Sequence, residues 1–440
     1  MASYTTTQAQ PSDLGIELQY STPPEATQDD STTKTPRALD PENIGNSSAP
    51  PIHAVNALQR WNYPRINRWR VFATFWSFFV LGMNDGSYGA LIPYLEKYYD
   101  LTYTIVSLVF LSPFAGYTLA AFTNNLMHVN FGQRGIAIIS PLCHLVSFLV
   151  MAAHPPYPVL IIMFIFVGFG NGLVDAAWCA WIGNMANANE VSGFLQACYA
   201  LGATVAPVIA TSMFSRGGLE WYSFYYIMVG GAALELATST AAFWTQTGAM
   251  YRAEHPPDPN TPNGRSREAL RSKITWIFSV FIFSYMGAEI SVGGWIVGRL
   301  GLPFLTVKLG EFYAVLLYVG ICVSLELIFW LVPNFIVSAV AVACLGFFFG
   351  PLFPTAIVMV TKLLPKHLHV SSIGFCTAIG GSGGAIFPFL VGAIAQAKGI
   401  KTLQPIILAL LAVICACWIL QPRKSQQDRE AFEGPEVGRG

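Results

Sequence analysis

The chain alternates between long apolar blocks and short polar breaks. Apolar segments fall near 71–94, 102–126, 135–153, 157–183, 192–213, 222–244, 274–297, 312–331, 334–361, 370–396 and 402–420. Most are about 20 residues or more, the length a helix needs to cross a hydrocarbon core of roughly 30 Å. In lipid each must be a helix, because no other open structure satisfies its own backbone. The pattern predicts an all-α membrane protein of eleven full spans. The longest polar break, "QTGAMYRAEHPPDPNTPNGRSREALRSK" (246–273), carries Pro, Gly and charge throughout and falls after the sixth span.

Composition supports this reading. Of 440 residues, 53% are hydrophobic and only 11% charged, against about a quarter charged in soluble domains. Net charge is zero, so no nucleic-acid partner is expected. The eight cysteines lie in apolar blocks and show no metal-ligand spacing near histidine. They read as small hydrophobes, with no metal site. The first 60 residues are rich in Ser, Thr, Pro and acids and read as a disordered tail without a cleavable signal. Asn46 heads a formal glycosylation sequon, relevant only if that tail is luminal. No enzyme constellation emerges. His367 and His369 have no partner carboxylate cluster, and the glycines of 380–385 lie inside an apolar helix, where they favour close packing over phosphate binding.

Charge orients the spans and exposes a conflict. Basic residues cluster before span 1 (Arg60, Arg65, Arg68, Arg70), in the central loop (Arg252, Arg265, Arg267, Arg271, Lys273), at Lys362 and Lys366, and at Arg423 and Lys424. The positive-inside rule assigns all four clusters to the cytoplasm. Six spans return the chain to that side, but five more cannot.

An internal repeat locates the discrepancy. Gly193, Phe194, Gly202 and Pro207 match Gly374, Phe375, Gly383 and Pro388 at an offset of 181. Gly132, Gly168 and Gly172 match Gly310, Gly346 and Gly350 at 178. Asp85 and Gly89 match Glu289 and Gly293 at 204. The offset therefore falls from 204 to 178, a loss of 26 residues between Gly293 and Gly310. About one helix is absent, the eighth of an expected twelve, and the break falls between Val297 and Gly298.

Two six-span halves in parallel repeat resemble the major facilitator superfamily, whose substrate site lies near the midplane between halves. The motifs "GMNDGSYGALIP", "GFGNGLVDAAW", "GFFFGPLFP" and "LLPKHLH" are similar to those of its fucose-permease-like branch, including fungal members. The resemblance implies a cytoplasmic tail over 1–69, a six-helix half over 70–245, a cytoplasmic loop over 246–273, a C-terminal half lacking most of helix 8 over 274–420, and a cytoplasmic tail over 421–440.

Charged residues inside a span are costly and tend to line cavities or relay protons. Asp85 stands 15 residues beyond Arg70, about 22 Å along a helix, near mid-membrane. It follows Asn84, amid Gly82, Gly86 and Gly89. Such a carboxyl would exchange a proton as the cavity alternates, since desolvation favours its neutral form and a wet vestibule its charged form. Asn171 and Asp175 are four apart and share a face of span 4, continued by Trp178 as an aromatic plate. The resemblance implies sugar binding and proton coupling at Asp85 and Asp175, the latter replacing the Glu of bacterial sugar carriers. Glu289, Gln196, Tyr199 and Tyr88 complete the candidate set for substrate binding or proton coupling. His144, Glu235 and Glu326 fall in spans that the analogy makes peripheral, and read as structural. The near absence of Lys and Arg in the spans favours a neutral solute.

The expected function is a multi-pass secondary transporter, a symporter moving a sugar or sugar-like small molecule through the lipid bilayer. It would be driven by a proton gradient without cofactor, as a monomer of the plasma membrane with both termini cytoplasmic once helix 8 is restored. Two alternatives stand beside it: an exporter of an amphipathic secondary metabolite or drug, and a non-transporting or mispredicted variant missing helix 8.

Overall fold

A computed structural model of the protein describes residues 59–106, 108–254, 265–292, 310–332, 334–398 and 403–422. The apolar blocks form helices: α1 (Ile66–Tyr99), α2 (Tyr103–Val106), α3 (Leu108–Ala152), α4 (Tyr157–Gly183), α5 (Ala188–Thr211, extended by a π turn over Ser212–Arg216) and α6 (Ser223–Phe243). After two short helices, α7 (Gly248–Glu254) and α8 (Arg265–Arg271), come α9 (Lys273–Val292), α10 (Glu311–Leu331), α11 (Phe335–Phe349), α12 (Leu352–Leu363), α13 (His369–Lys398) and α14 (Leu403–Leu420). Among the described residues there is no strand, only an isolated bridge between Arg60 and Tyr63.

Six helical runs among the described residues are long and apolar enough to cross a bilayer. One of them, α3, has 45 residues, about 68 Å of helix and enough for two crossings. It turns at Gly132, whose φ of 70° suits glycine. A Cβ there would also strike the backbone of Gln246 and Thr247. The apolar block at 334–361 is likewise divided, because Gly350 and Pro351 separate α11 from α12.

Glycines set how closely the helices approach. Cβ atoms on Gly82 and Gly86 of α1 would overlap the carbonyls of Tyr199 and Ala203 on α5, and one on Gly202 the carbonyl of Phe79. The second group of helices repeats this contact: Gly383 of α13 lies against the carbonyl of Phe283 on α9. Phe79 and Phe283 differ by 204, and Gly202 and Gly383 by 181, the two offsets of the sequence repeat. Gly310 has a φ of 81°, matching its repeat partner Gly132. One close helix contact and one glycine turn thus carry the internal duplication into the packing.

Among the described residues, α1–α6 and α9–α14 touch at the ends that bear the basic residues. Thr361 donates to the Gly183 carbonyl at 3.0 Å, and Phe122 meets Phe375 edge to face at 5.3 Å. Glu311 accepts from Asn189 and from Lys362, each at 2.6 Å. Thr361 and Gly183 are themselves 178 apart, so equivalent positions of the two repeats touch.

Two boundaries differ from the sequence reading. The stretch 1–69 was expected to be tail, yet α1 begins at Ile66. The Asn67 amide binds Gln59 and the carbonyls of Arg60 and Tyr63, giving the preceding turn an ordered cap. The central loop 246–273 contains α7 and α8 because "GAMYRAE" and "RSREALR" are short helix-forming runs. The break at Val297–Gly298, the matched Gly293, the sequon at Asn46, and most of both expected tails lie outside the described residues.

Candidate functional site

The site grows from the middle of α1. Because Gly82 and Gly86 let α1 approach the α5 backbone, the Tyr199 hydroxyl reaches Asp85 and donates to Oδ2 at 3.2 Å. Oδ1 accepts from Asn84 Nδ2 at 3.1 Å and from Asn171 Nδ2, on α4, at 3.4 Å. Asp85 is therefore held by donors from three helices, as a buried carboxylate must be to stay in place. One turn beyond Asn171, Asp175 accepts a weak bond from Cys179 Sγ at 3.4 Å.

Asp85 and Asp175 open onto a cleft with about 500 Å³ of empty space, part of it open to solvent. One wall comes from α1, α3, α4 and α5: Phe78, Leu81, Asp85, Tyr117, Asp175, Gln196 and Tyr199. The other comes from α9, α12 and α13: Ile282, Tyr285, Met286, Glu289, Phe353, Thr377 and Gly381. Among the described residues the lining carries three carboxyls, amide and hydroxyl groups and aromatic faces, with no Lys, Arg or His. Such a surface can hydrogen-bond a polyhydroxylated solute and pack against its C–H faces, but offers no cation for an anion.

Five of the residues singled out from the sequence meet at this cleft: Asp85, Asp175, Glu289, Gln196 and Tyr199. Asn171 reaches it through its bond to Asp85. Asn84 and Tyr88 turn the other way. Asn84 donates to the Tyr88 hydroxyl, and the Tyr88 ring is buried edge-on to Phe110 and Phe164. They support Asp85 from behind.

Trp178 departs from its expected role as a cavity plate. It is fully buried, stacked on Phe243 of α6 with ring centroids 4.4 Å apart, and is absent from the cleft lining. The three residues from Asp175 to Trp178 leave their side chains about 60° apart around the helix axis, so at the edge of the shared face Asp175 meets the cleft while Trp178 packs on α6. The sequence reading missed Tyr117, Phe353 and Thr377. Tyr117 carried no signal in the sequence; in the structure Gly172 on α4 makes room for it, and its ring lies in ordinary contact range of Gly381 on α13. Among the described residues, no cluster of His, Cys, Asp and Glu could hold a metal ion.

Comparisons with known proteins agree with this architecture. In sequence, the chain is 29% identical over 422 residues to Bypass of stop codon protein 6 of Saccharomyces cerevisiae, covering 82% of this chain and 84% of that one. It is 23% identical over 375 residues to the glucose/mannose transporter GlcP of Bacillus subtilis, covering 76% and 92%. In structure, it resembles the E. coli fucose:proton symporter FucP with a TM-score of 0.60 at 13% identity, covering 80% of this chain and 98% of that one. The proton:xylose symporter XylE gives 0.63 at 13% identity, covering 81% and 96%. These two structures share the fold. The profile described as Major Facilitator Superfamily matches residues 74–325, more than half of the chain, so this multi-pass membrane protein belongs to the Major Facilitator Superfamily of transporters.

Proposed function

We propose that the protein is a proton-coupled carrier of a sugar or sugar-like neutral solute, working by alternating access in the plasma membrane. The observation that carries this reading is the setting of Asp85. Its carboxyl is bound by side chains from α4 and α5 and opens onto a cleft whose described lining residues include no basic side chain. A neutral solute meets amides and hydroxyls from Gln196, Tyr199 and Thr377, with Tyr117, Phe78 and Phe353 as apolar faces. The positive-inside rule puts the basic end, where the two groups of helices touch, in the cytoplasm. A proton arriving from outside neutralises Asp85 and weakens its hold on the charged-form donors Asn171 and Tyr199. Those groups are then free to turn to solute hydroxyls. The kinship in sequence with a glucose/mannose transporter supports the substrate class.

The test is uptake of labelled D-glucose, D-mannose, L-fucose and D-xylose into vesicles containing the purified protein, with and without an inward proton gradient. Accumulation of at least one sugar should collapse with an uncoupler. The Asp85→Asn variant should lose accumulation while still exchanging labelled for unlabelled sugar across the membrane. Unchanged gradient-driven accumulation in Asp85→Asn would remove Asp85 from the coupling mechanism.

A further inference from the structure

The cleft does not use the most deeply buried ionisable pair of the first helical group. His144, on α3 beyond its bend, places Nδ1 3.0 Å from Oε2 of Glu235 on α6, with side chains 1% and 0% exposed. Residues able to carry charge inside a membrane are costly, and structural pairing alone is best served by satisfying every polar atom. Here His144 Nε2 and Glu235 Oε1 have no hydrogen-bond partner among the described residues.

The unpartnered nitrogen faces α4. A Cβ on Gly170 would lie 2.7 Å from His144 Nε2, so glycine at this position is what admits the imidazole. Ser140, one turn before His144, fixes the same contact by donating to the Gly170 carbonyl at 2.8 Å. The next residue along α4 is Asn171, which donates to Asp85. The pair and the cleft carboxyl therefore press on adjacent residues of one helix.

We propose that His144 and Glu235 form a second proton site, coupled to Asp85 across α4. The proposal rests on the proton-coupled reading above. With a proton on Nε2, the pair is an imidazolium donating from Nδ1 to a carboxylate, with net charge zero. Without it, Nδ1–H still donates and the carboxylate leaves the pair at minus one. That negative charge opposes ionisation of Asp85, so Asp85 keeps its proton while the pair lacks one. When Nε2 takes up a proton, Asp85 releases its own with less opposition. One proton is held in either state, and no other species is consumed.

The neighbouring ionisable groups do not cancel this coupling. From α1 come Asp85 and Tyr88, from α4 Asp175, from α3 Cys143, and from α6 Tyr225, which approaches through Phe148 at 6.0 Å between ring centroids. Arg70, a cation of α1 beside the end of α6, is engaged by the Ala242 carbonyl and the Thr245 hydroxyl. That places it two turns beyond Glu235 along the helix, about 10 Å.

The experiment follows the protonated-carboxyl infrared band of Asp85 against pH in the full chain in lipid vesicles, assigning the band by its loss in Asp85→Asn. Wild type should titrate in two interacting steps. In the double variant His144→Gln/Glu235→Gln, the step contributed by the pair should disappear and the Asp85 midpoint should move by about one pH unit, leaving only its coupling to Asp175. A band that titrates identically in wild type and double variant overturns the proposal. Single variants leave a buried group without its partner and are prone to misfold, so the neutral pair is the informative change. Should it also misfold, a single non-interacting step in wild type would overturn the coupling by itself. Loss of the carrier reading is separately visible: Asp85→Asn would then leave gradient-driven sugar uptake intact, whatever the infrared band does.

Discussion

Trp178 separates packing from recognition at the scale of single residues. Its ring is buried against Phe243, so Trp178→Ala should lower stability by about 3–5 kcal/mol. The half-saturation concentration of whatever protein folds should stay near the wild-type value. Thermal unfolding in detergent, read beside uptake kinetics, separates the two effects. Tyr117 makes the converse case. Its ring lies between Gly172 and Gly381 and borders the cleft, so Tyr117→Ala should raise the half-saturation concentration for the transported sugar at least several-fold. Because the ring also packs between α4 and α13, Tyr117→Phe provides the control: it keeps the packing, so any change in uptake reports the hydroxyl alone. The sequence exposed Asp85 and Asp175 because a carboxyl within an apolar span stands out. It could not rank Trp178 against Tyr117, because a span apolar on every side has no polar stripe to say which way an aromatic ring turns.

At the scale of helices, the repeat was legible because glycines that permit contact cannot drift without separating the helices. The paired contacts Gly202 with Phe79 and Gly383 with Phe283 keep both offsets. The bend in α3 at Gly132 falls in the break between the apolar blocks 102–126 and 135–153, whereas the two short helices within 246–273 were not visible in the apolar pattern, which records burial in lipid and not the structure of polar segments. The contact between α1 and α5 also positions Tyr199 on Asp85, so the same glycines govern stability and the site. Gly86→Leu should force α1 and α5 apart, cost about 1–3 kcal/mol from overpacking, and weaken uptake. Gly89→Leu, on the same helix but with nothing within 4 Å of its Cβ position, should do neither. Thermal unfolding of the two variants side by side checks the contrast. Equal losses would mean that helix propensity, and not the α1–α5 contact, sets the cost.

At the scale of the whole molecule, alternating access needs a closed end that can reopen. Here Glu311 supports the basic end by accepting from Asn189 and Lys362 together. Lys362 is half exposed and its ion pair contributes at most about 1 kcal/mol, whereas Asn189 is the link between the two groups of helices. Asn189→Ala should remove about 1 kcal/mol from the closed arrangement and raise the population open at that end several-fold. Spin-label distances between α5 and α12 would report it as a longer component. The other determinant is the 26-residue fall in repeat offset between Gly293 and Gly310. In the first repeat the interval from Gly89 to Gly132 holds the run through α2 and the first part of α3, including Tyr117, which borders the cleft. The second repeat has 17 residues for the equivalent interval. A wall of the cleft supplied in one repeat therefore has too little chain to be matched in the other. If that asymmetry limits transport, inserting about 26 apolar residues as a helix between Val297 and Gly298 should raise sugar uptake by the purified protein. It should also bring the C-terminus to the same side as the central loop, read by protease accessibility in sealed vesicles. Uptake already at full rate without the insert would show that this carrier works without the added helix.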